Sequence, residues 1–100
     1  GDGCVILPGC VIFDNITIGI NNWIGIGAKI AHDVKIGNDC MIGGGSMLGA
    51  YANIKNQVLI GWGATIGLNL TISNKVTVGF GSNVLKDISS KKIVKGNPAK

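Results

Sequence analysis

Every sixth residue from Ile6 to Val84 is isoleucine, leucine or valine, without a gap. The residue after these aliphatics is often glycine, as at Gly19, Gly25, Gly37, Gly43, Gly49, Gly61, Gly67 and Gly79. The residue two before is small at Cys10, Ala28, Ser46, Ala52, Ala64 and Ser82. This hexapeptide pattern predicts an all-β chain: a parallel β-helix in which short strands wind into coils and stack equivalent positions about 4.8 Å apart.

The positions three after each aliphatic set the coil length. Sorted at a spacing of eighteen, one column is pure glycine, Gly9-Gly27-Gly45-Gly63-Gly81. The other two are mixed, Asn15-Asp33-Tyr51-Asn69-Asp87 and Gly3-Asn21-Asp39-Gln57-Lys75. Three hexads per coil therefore fit, giving a triangular prism of nearly five coils over residues 1–86. After Val84 the hexads stop, and 87–100 reads as an irregular C-terminal tail. There Ile88, Ile93 and Val94 are expected to fold back over the last coil, since solenoid ends need caps. Gly1 is already in register, so the amino end is expected to be shielded by a preceding domain or by an oligomer, an open strand edge being a liability.

The same sorting gives the three edges different chemistry. Around the first edge the outward positions read Val5-Trp23-Met41-Leu59-Thr77 and Pro8-Ile26-Gly44-Trp62-Phe80, beside the glycine column. That edge is too apolar to face water and predicts burial against a neighbour or ligand, most simply in a closed symmetric oligomer. The second edge carries Asp14-His32-Ala50-Leu68-Lys86. The third, Ile20-Asn38-Asn56-Asn74 preceded by Thr17-Lys35-Asn53-Thr71, reads as a solvent face. Inward positions hold Cys4, Cys10 and Cys40 as small fillers and Asn22 as a hydrogen-bonded ladder residue. Cys4 and Cys40 share a column but stand two coils apart, too far for a disulfide.

Composition narrows the class. A chain of 100 residues with 46% apolar and 14% charged side chains suits one globular domain. Its 17 glycines against 5% aromatics mean that stability comes from regular stacking of small and aliphatic residues. No apolar run is long enough for a membrane span, and no signal peptide is seen. Three cysteines without a Cys-x-x-Cys pair predict neither a disulfide framework nor a zinc site, and no metal is expected. A reducing cytoplasm follows as the simpler location. The net charge of +4 comes from lysines, and Lys86, Lys91, Lys92, Lys95 and Lys100 gather at the end, a bias that could attract phosphates. Without a recognition helix or interleaved aromatics, nucleic acid is not an expected partner.

The candidate chemistry is the single His-Asp pair, His32 and Asp33, within Gly25–Gly37. An imidazole, titrating near pH 6.5 in its ordinary state, suits removal of a proton from an amine or hydroxyl at neutral pH. Two carboxylates could orient it: Asp33, next in sequence, or Asp14, one coil below in the same column.

The unbroken hexads, the segment Ala31-His-Asp-Val-Lys-Ile-Gly37 and the closing Val94-Lys-Gly-Asn-Pro-Ala-Lys100 together resemble the hexapeptide acyltransferases. The chain looks closest to the group of sialic-acid O-acetyltransferases and nucleotide-linked amino-sugar N-acetyltransferases. The resemblance implies a left-handed helix, against the usual right-handed crossover, and homotrimers with active sites between subunits. It implies transfer of an acetyl group from acetyl-CoA to an amine or hydroxyl of a sugar or nucleotide-sugar, without an acyl-enzyme. Members usually carry a nucleotide-sugar-binding domain before the helix, which is missing from this sequence.

Carried over by position, His32 is implied as the general base and Asp33 as the neighbour that raises its basicity. Met41, Ala50, Trp62, Gly63, Phe80 and Gly81 are implied as contacts of acetyl-CoA. The columns agree in part: Trp62 and Phe80 stack beside Gly63 and Gly81, where a missing side chain lets a slender pantetheine arm approach. Ala50 lies one coil above His32, so its N–H could serve as an oxyanion donor. The alternative is a non-catalytic trimeric scaffold or isolated oligomerisation domain.

Overall fold

A computed structural model describes residues 1–100. Strands of two residues each recur once per hexad and form three parallel sheets. The first sheet stacks Val5–Ile6, Trp23–Ile24, Met41–Ile42, Leu59–Ile60, Thr77–Val78 and Ile93–Val94. The second contains Val11–Ile12, Lys29–Ile30, Met47–Leu48, Thr65–Ile66 and Asn83–Val84, and the third Thr17–Ile18, Lys35–Ile36, Asn53–Ile54 and Thr71–Ile72. Pairing is in register at eighteen residues, as in Val5↔Trp23, Lys29↔Met47 and Lys35↔Asn53. The fold is the expected left-handed parallel β-helix of about five turns.

The core is the repeated aliphatic column itself. From Ile24 to Val84 every member is at least 98% buried, joined by inward Ala28, Val34, Ala52, Val58, Ala64 and Val76. In the first coil the column residues Ile6 and Ile12 are 48% and 37% exposed.

The turn columns follow from backbone conformation. Asn15, Asp33, Tyr51 and Asn69 all hold φ between 57° and 62°, the left-handed region that Gly, Asn and Asp tolerate best. Tyr51 is the exception in kind.

The inward cysteines do more than fill space. Cys4 and Cys10 lie with Sγ 3.1 Å from the carbonyls of Gly19 and Gly25, and Cys40 Sγ is 2.9 Å from Lys55 O. Ser46 makes the same bond to Gly61 O at 2.9 Å. Asn22 is a ladder residue as expected: it donates to Gly37 O at 2.7 Å and accepts from Cys40 N–H at 2.8 Å.

The tail loses the hexad spacing yet keeps winding. Ile88 bridges to Ile72 and Val94 pairs with Val78, each sixteen residues on, so Ile88 and Val94 close the last coil. Ile93 does not: it lies on the outward side of its strand and is 76% exposed. The alternation of side chains along a strand forces that outcome once Val94 points inward.

Candidate active site

His32 sits on the second edge, just past the Lys29–Ile30 strand, and Asp33 is the left-handed turn residue that follows. The turn brings the two side chains together, with His32 Nδ1 2.9 Å from Asp33 Oδ2. From one rung below, Asn15 Nδ2 donates to Asp33 Oδ1. The His32 contact, and then the Asn15 donor, hold the Asp33 carboxyl below its ordinary range, outweighing the opposing effect of desolvation. An ionised carboxylate only accepts, so Nδ1 carries the hydrogen and Nε2, the free nitrogen, is the basic one. Asp14 contributes its main-chain carbonyl to Asp33 N–H at 3.0 Å, whereas the imidazole contact is made by Asp33.

Tyr51 completes the constellation from one rung above. Its ring meets His32 edge-on, with centroids 5.3 Å apart and planes at 87°. Sequence reading did not find Tyr51 or Asn15 as site residues. The available signal was their shared column with Asp33, in which a tyrosine is the odd member.

The main chain differs between edges. At the third edge Asn38, Asn56 and Asn74 accept, through Oδ1, from the N–H of Ile20, Asn38 and Asn56 at 2.8–3.0 Å. At the second edge the N–H groups of His32, Ala50 and Leu68 donate to nothing in the chain, like those of Ile26, Gly44, Trp62 and Phe80 at the first. That leaves a row of free donors rising from the His-Asp pair, with Ala50 directly over His32.

The remaining expected site residues lie elsewhere. Trp62, Gly63, Phe80 and Gly81 are on the first edge, and Met41 faces out from the first sheet. Trp62, Phe80 and Met41 are 53%, 78% and 47% exposed in the single chain, with Ile26 and Leu59 beside them, so this edge is as apolar as expected. The whole second sheet separates it from His32 within one chain.

None of the cysteines has the surroundings of a nucleophile: burial pushes the Cys40 thiol up, and all three point inward. No group of three or more His, Cys, Asp or Glu side chains is placed to hold a metal.

Comparison with known proteins matches residues 15–50, the span of Asn15, His32, Asp33 and Ala50, to the family described as bacterial transferase hexapeptide (six repeats). No curated protein matches the sequence. Among solved structures, a soybean serine acetyltransferase is 32% identical over 85% of this chain and 39% of its own, with TM-score 0.79. The polySia-specific acetyltransferase NeuO is 28% identical, covering 87% and 47%, with TM-score 0.82. The acetyltransferase domain of PglB from Neisseria gonorrhoeae, in complex with acetyl coenzyme A, is 24% identical over 98% and 57%, with TM-score 0.82, and shows the fold alone. The chain is thus similar, in repeat and in fold, to the hexapeptide-repeat acyltransferases. It spans less than two thirds of each of these three proteins.

Proposed function

We propose that the chain is the catalytic β-helix of an acetyl-CoA-dependent acetyltransferase, acting as a homotrimer on an amine or hydroxyl of a sugar or nucleotide-sugar. The observation that carries this reading is the His32–Asp33 pair held at 2.9 Å with the imidazole Nε2 left free. Two of the similar structures, the serine and polySia acetyltransferases, are named for acetyl transfer.

In the proposed reaction the acceptor gives its proton to His32 Nε2 as its oxygen or nitrogen attacks the thioester carbon. Asp33 holds the ring in the tautomer that leaves Nε2 free. The Ala50 N–H meets the oxygen on which charge develops, and a preorganised donor of this kind is worth about 10²–10³ in kcat. As the C–S bond breaks, the imidazolium returns the proton to the departing thiolate. Nothing is left on the enzyme.

The second edge also suggests a track for the cofactor. From His32 it rises through Ala50 and Leu68 to Lys86, three rungs or about 14 Å away. There Lys86, Lys92 and Lys100 line a cavity of about 300 Å³, a basic end for the phosphates of acetyl-CoA. Met41, Trp62, Gly63, Phe80 and Gly81 are supplied to the same groove by the first edge of a neighbouring subunit, which buries that apolar edge. The free cysteines fit a reducing, cytoplasmic setting, and no helix is long and apolar enough to cross a membrane.

A non-catalytic trimeric scaffold is the second reading, favoured by the separation of the two edges within one chain. Calorimetric titration of acetyl-CoA, with the oligomeric mass measured alongside, decides between them. Saturable binding at one site per subunit supports the enzyme; a well-folded trimer that binds none supports the scaffold.

A further inference from the structure

Two side-chain contacts of singular kind meet at His32. The one ion pair in the chain joins it to Asp33, and the one aromatic pair joins it to Tyr51. They approach from different directions. Asp33 Oδ2 meets Nδ1, whose N–H bond lies in the plane of the imidazole, whereas the Tyr51 ring stands at 87° to that plane with centroids 5.3 Å apart. Perpendicular rings at this spacing attract, the edge of one meeting the face of the other.

One hydrogen bond does not fix a half-exposed imidazole. With Asp33 on a single ring nitrogen, the ring can still swing about that contact or turn over about its Cβ–Cγ bond, and Nε2 then loses its aim; exposed side chains exchange such states within nanoseconds. A second contact, to the ring as a whole, removes that freedom. Tyr51 is rooted for it, because its N–H donates to the His32 carbonyl at 3.2 Å and ties the two residues across the rung before their rings meet. Core packing does not place this tyrosine, which is half-exposed and outside the buried cluster. The turn does not ask for it either. The same left-handed conformation is held by Asn15, Asp33 and Asn69 on this edge and by Gln57 and Lys75 on another, all of them polar. A bulky ring suits it least.

Resting on the acetyltransferase reading, we propose that Tyr51 is a positioning residue for the transfer: its ring holds the His32 imidazole against Asp33, so that Nε2 stays presented to the acceptor. Asp33 sets which nitrogen carries the hydrogen, and Tyr51 sets where the ring lies. Neither does the other's work. The contact is made by the aromatic ring, so phenylalanine should serve as well as tyrosine, whereas asparagine satisfies the turn and leaves the imidazole loose. Fold and function therefore pull in opposite directions at this one position, the backbone favouring asparagine and the base favouring a ring.

The chain's single histidine gives a direct test. Nitrogen NMR of the imidazole at about pH 8, where the ring is ordinarily neutral, reports how the hydrogen is shared between its two nitrogens. The parent and Tyr51→Phe are expected to keep it on Nδ1. Tyr51→Asn is expected to average it over both nitrogens, while melting no lower than the parent. In the same samples, thiol release from acetyl-CoA is followed with glucosamine, N-acetylneuraminic acid and water alone as acceptors. Tyr51→Asn is expected to lower kcat by about tenfold and Tyr51→Phe to keep it, with KM for acetyl-CoA within about twofold in both. A parent-like hydrogen position in Tyr51→Asn, a kcat within about twofold of the parent, or an equal loss in Tyr51→Phe overturns the proposal. Calorimetric titration of acetyl-CoA separates the failures. A folded parent that binds none removes the acetyltransferase reading, whereas a parent that binds and transfers beside an equally active Tyr51→Asn removes this inference alone.

Discussion

Asp33 is gripped from two sides, and the grip makes the site testable residue by residue. His32→Ala removes the base and is expected to lower acetyl transfer by about 10²–10⁴, with the oligomer and melting temperature kept; activity within tenfold of the parent would refute the role of His32. Asn15→Ala leaves the imidazole contact in place but frees the other carboxylate oxygen. It is expected to lower kcat several-fold while KM for acetyl-CoA stays put, as a positioning residue should. Acidity adds a signed prediction. The Asp33 carboxyl is depressed below its ordinary 3.8, so its stabilising contacts are complete above that value and are lost only as pH falls through the lower folded value. Melts of the parent and Asp33→Asn should therefore differ at neutral pH and converge as the pH falls below about 4. Tyr51 shows why residue-scale reading stopped short: a turn column of Asn and Asp is explained by backbone conformation, and only the coordinates reveal that the tyrosine in it touches the imidazole.

Rungs set the tolerances of an element. A Cβ on Gly43 would come within 2.6 Å of Trp62 N and 2.7 Å of Gly61 C, both main-chain atoms of the next rung that cannot yield. Gly43→Ala is expected to cost about 1–3 kcal/mol, measured by denaturant unfolding. Gly63 is the opposite case, at φ 69° with nothing within 4 Å of a Cβ. Asn69 and Asn15 occupy the equivalent turn conformation on another edge. Gly63→Asn should therefore cost less than about 1 kcal/mol, yet weaken acetyl-CoA by tenfold or more if the first edge of a neighbour walls the cofactor groove; unchanged affinity would remove that edge from the site. The strands, their inward columns and the three-hexad coil were all legible, because burial acts on every turn of the helix alike. The tail was less so: a sixteen-residue return from Ile72 to Ile88 and Val78 to Val94 breaks the period by which the eye finds it.

For the whole molecule, the uncovered apolar band is the main demand. Ile26, Met41, Leu59, Trp62 and Phe80 lie together and between 39% and 78% exposed, more than an isolated chain comfortably shows to water. If the proposed trimer forms through this band and its groove needs both edges, Leu59→Lys is expected to shift the sedimenting species from trimer toward monomer and to abolish acetyl-CoA binding. A variant that stays trimeric would place the contact elsewhere. Chemistry was legible at this scale only as two separated edges; that these two keep free main-chain donors while the third spends them on an asparagine ladder needs atoms to see. The eighteen-residue register has one more consequence. Each coil is a graduation on a ruler, with the base at one mark and the lysine cluster three marks away. Excising residues 51–68 would leave the inward columns aligned while moving those marks closer by about 4.8 Å. In the proposed enzyme the reach of the cofactor is written in the number of coils, and changing that reach means adding or removing whole ones.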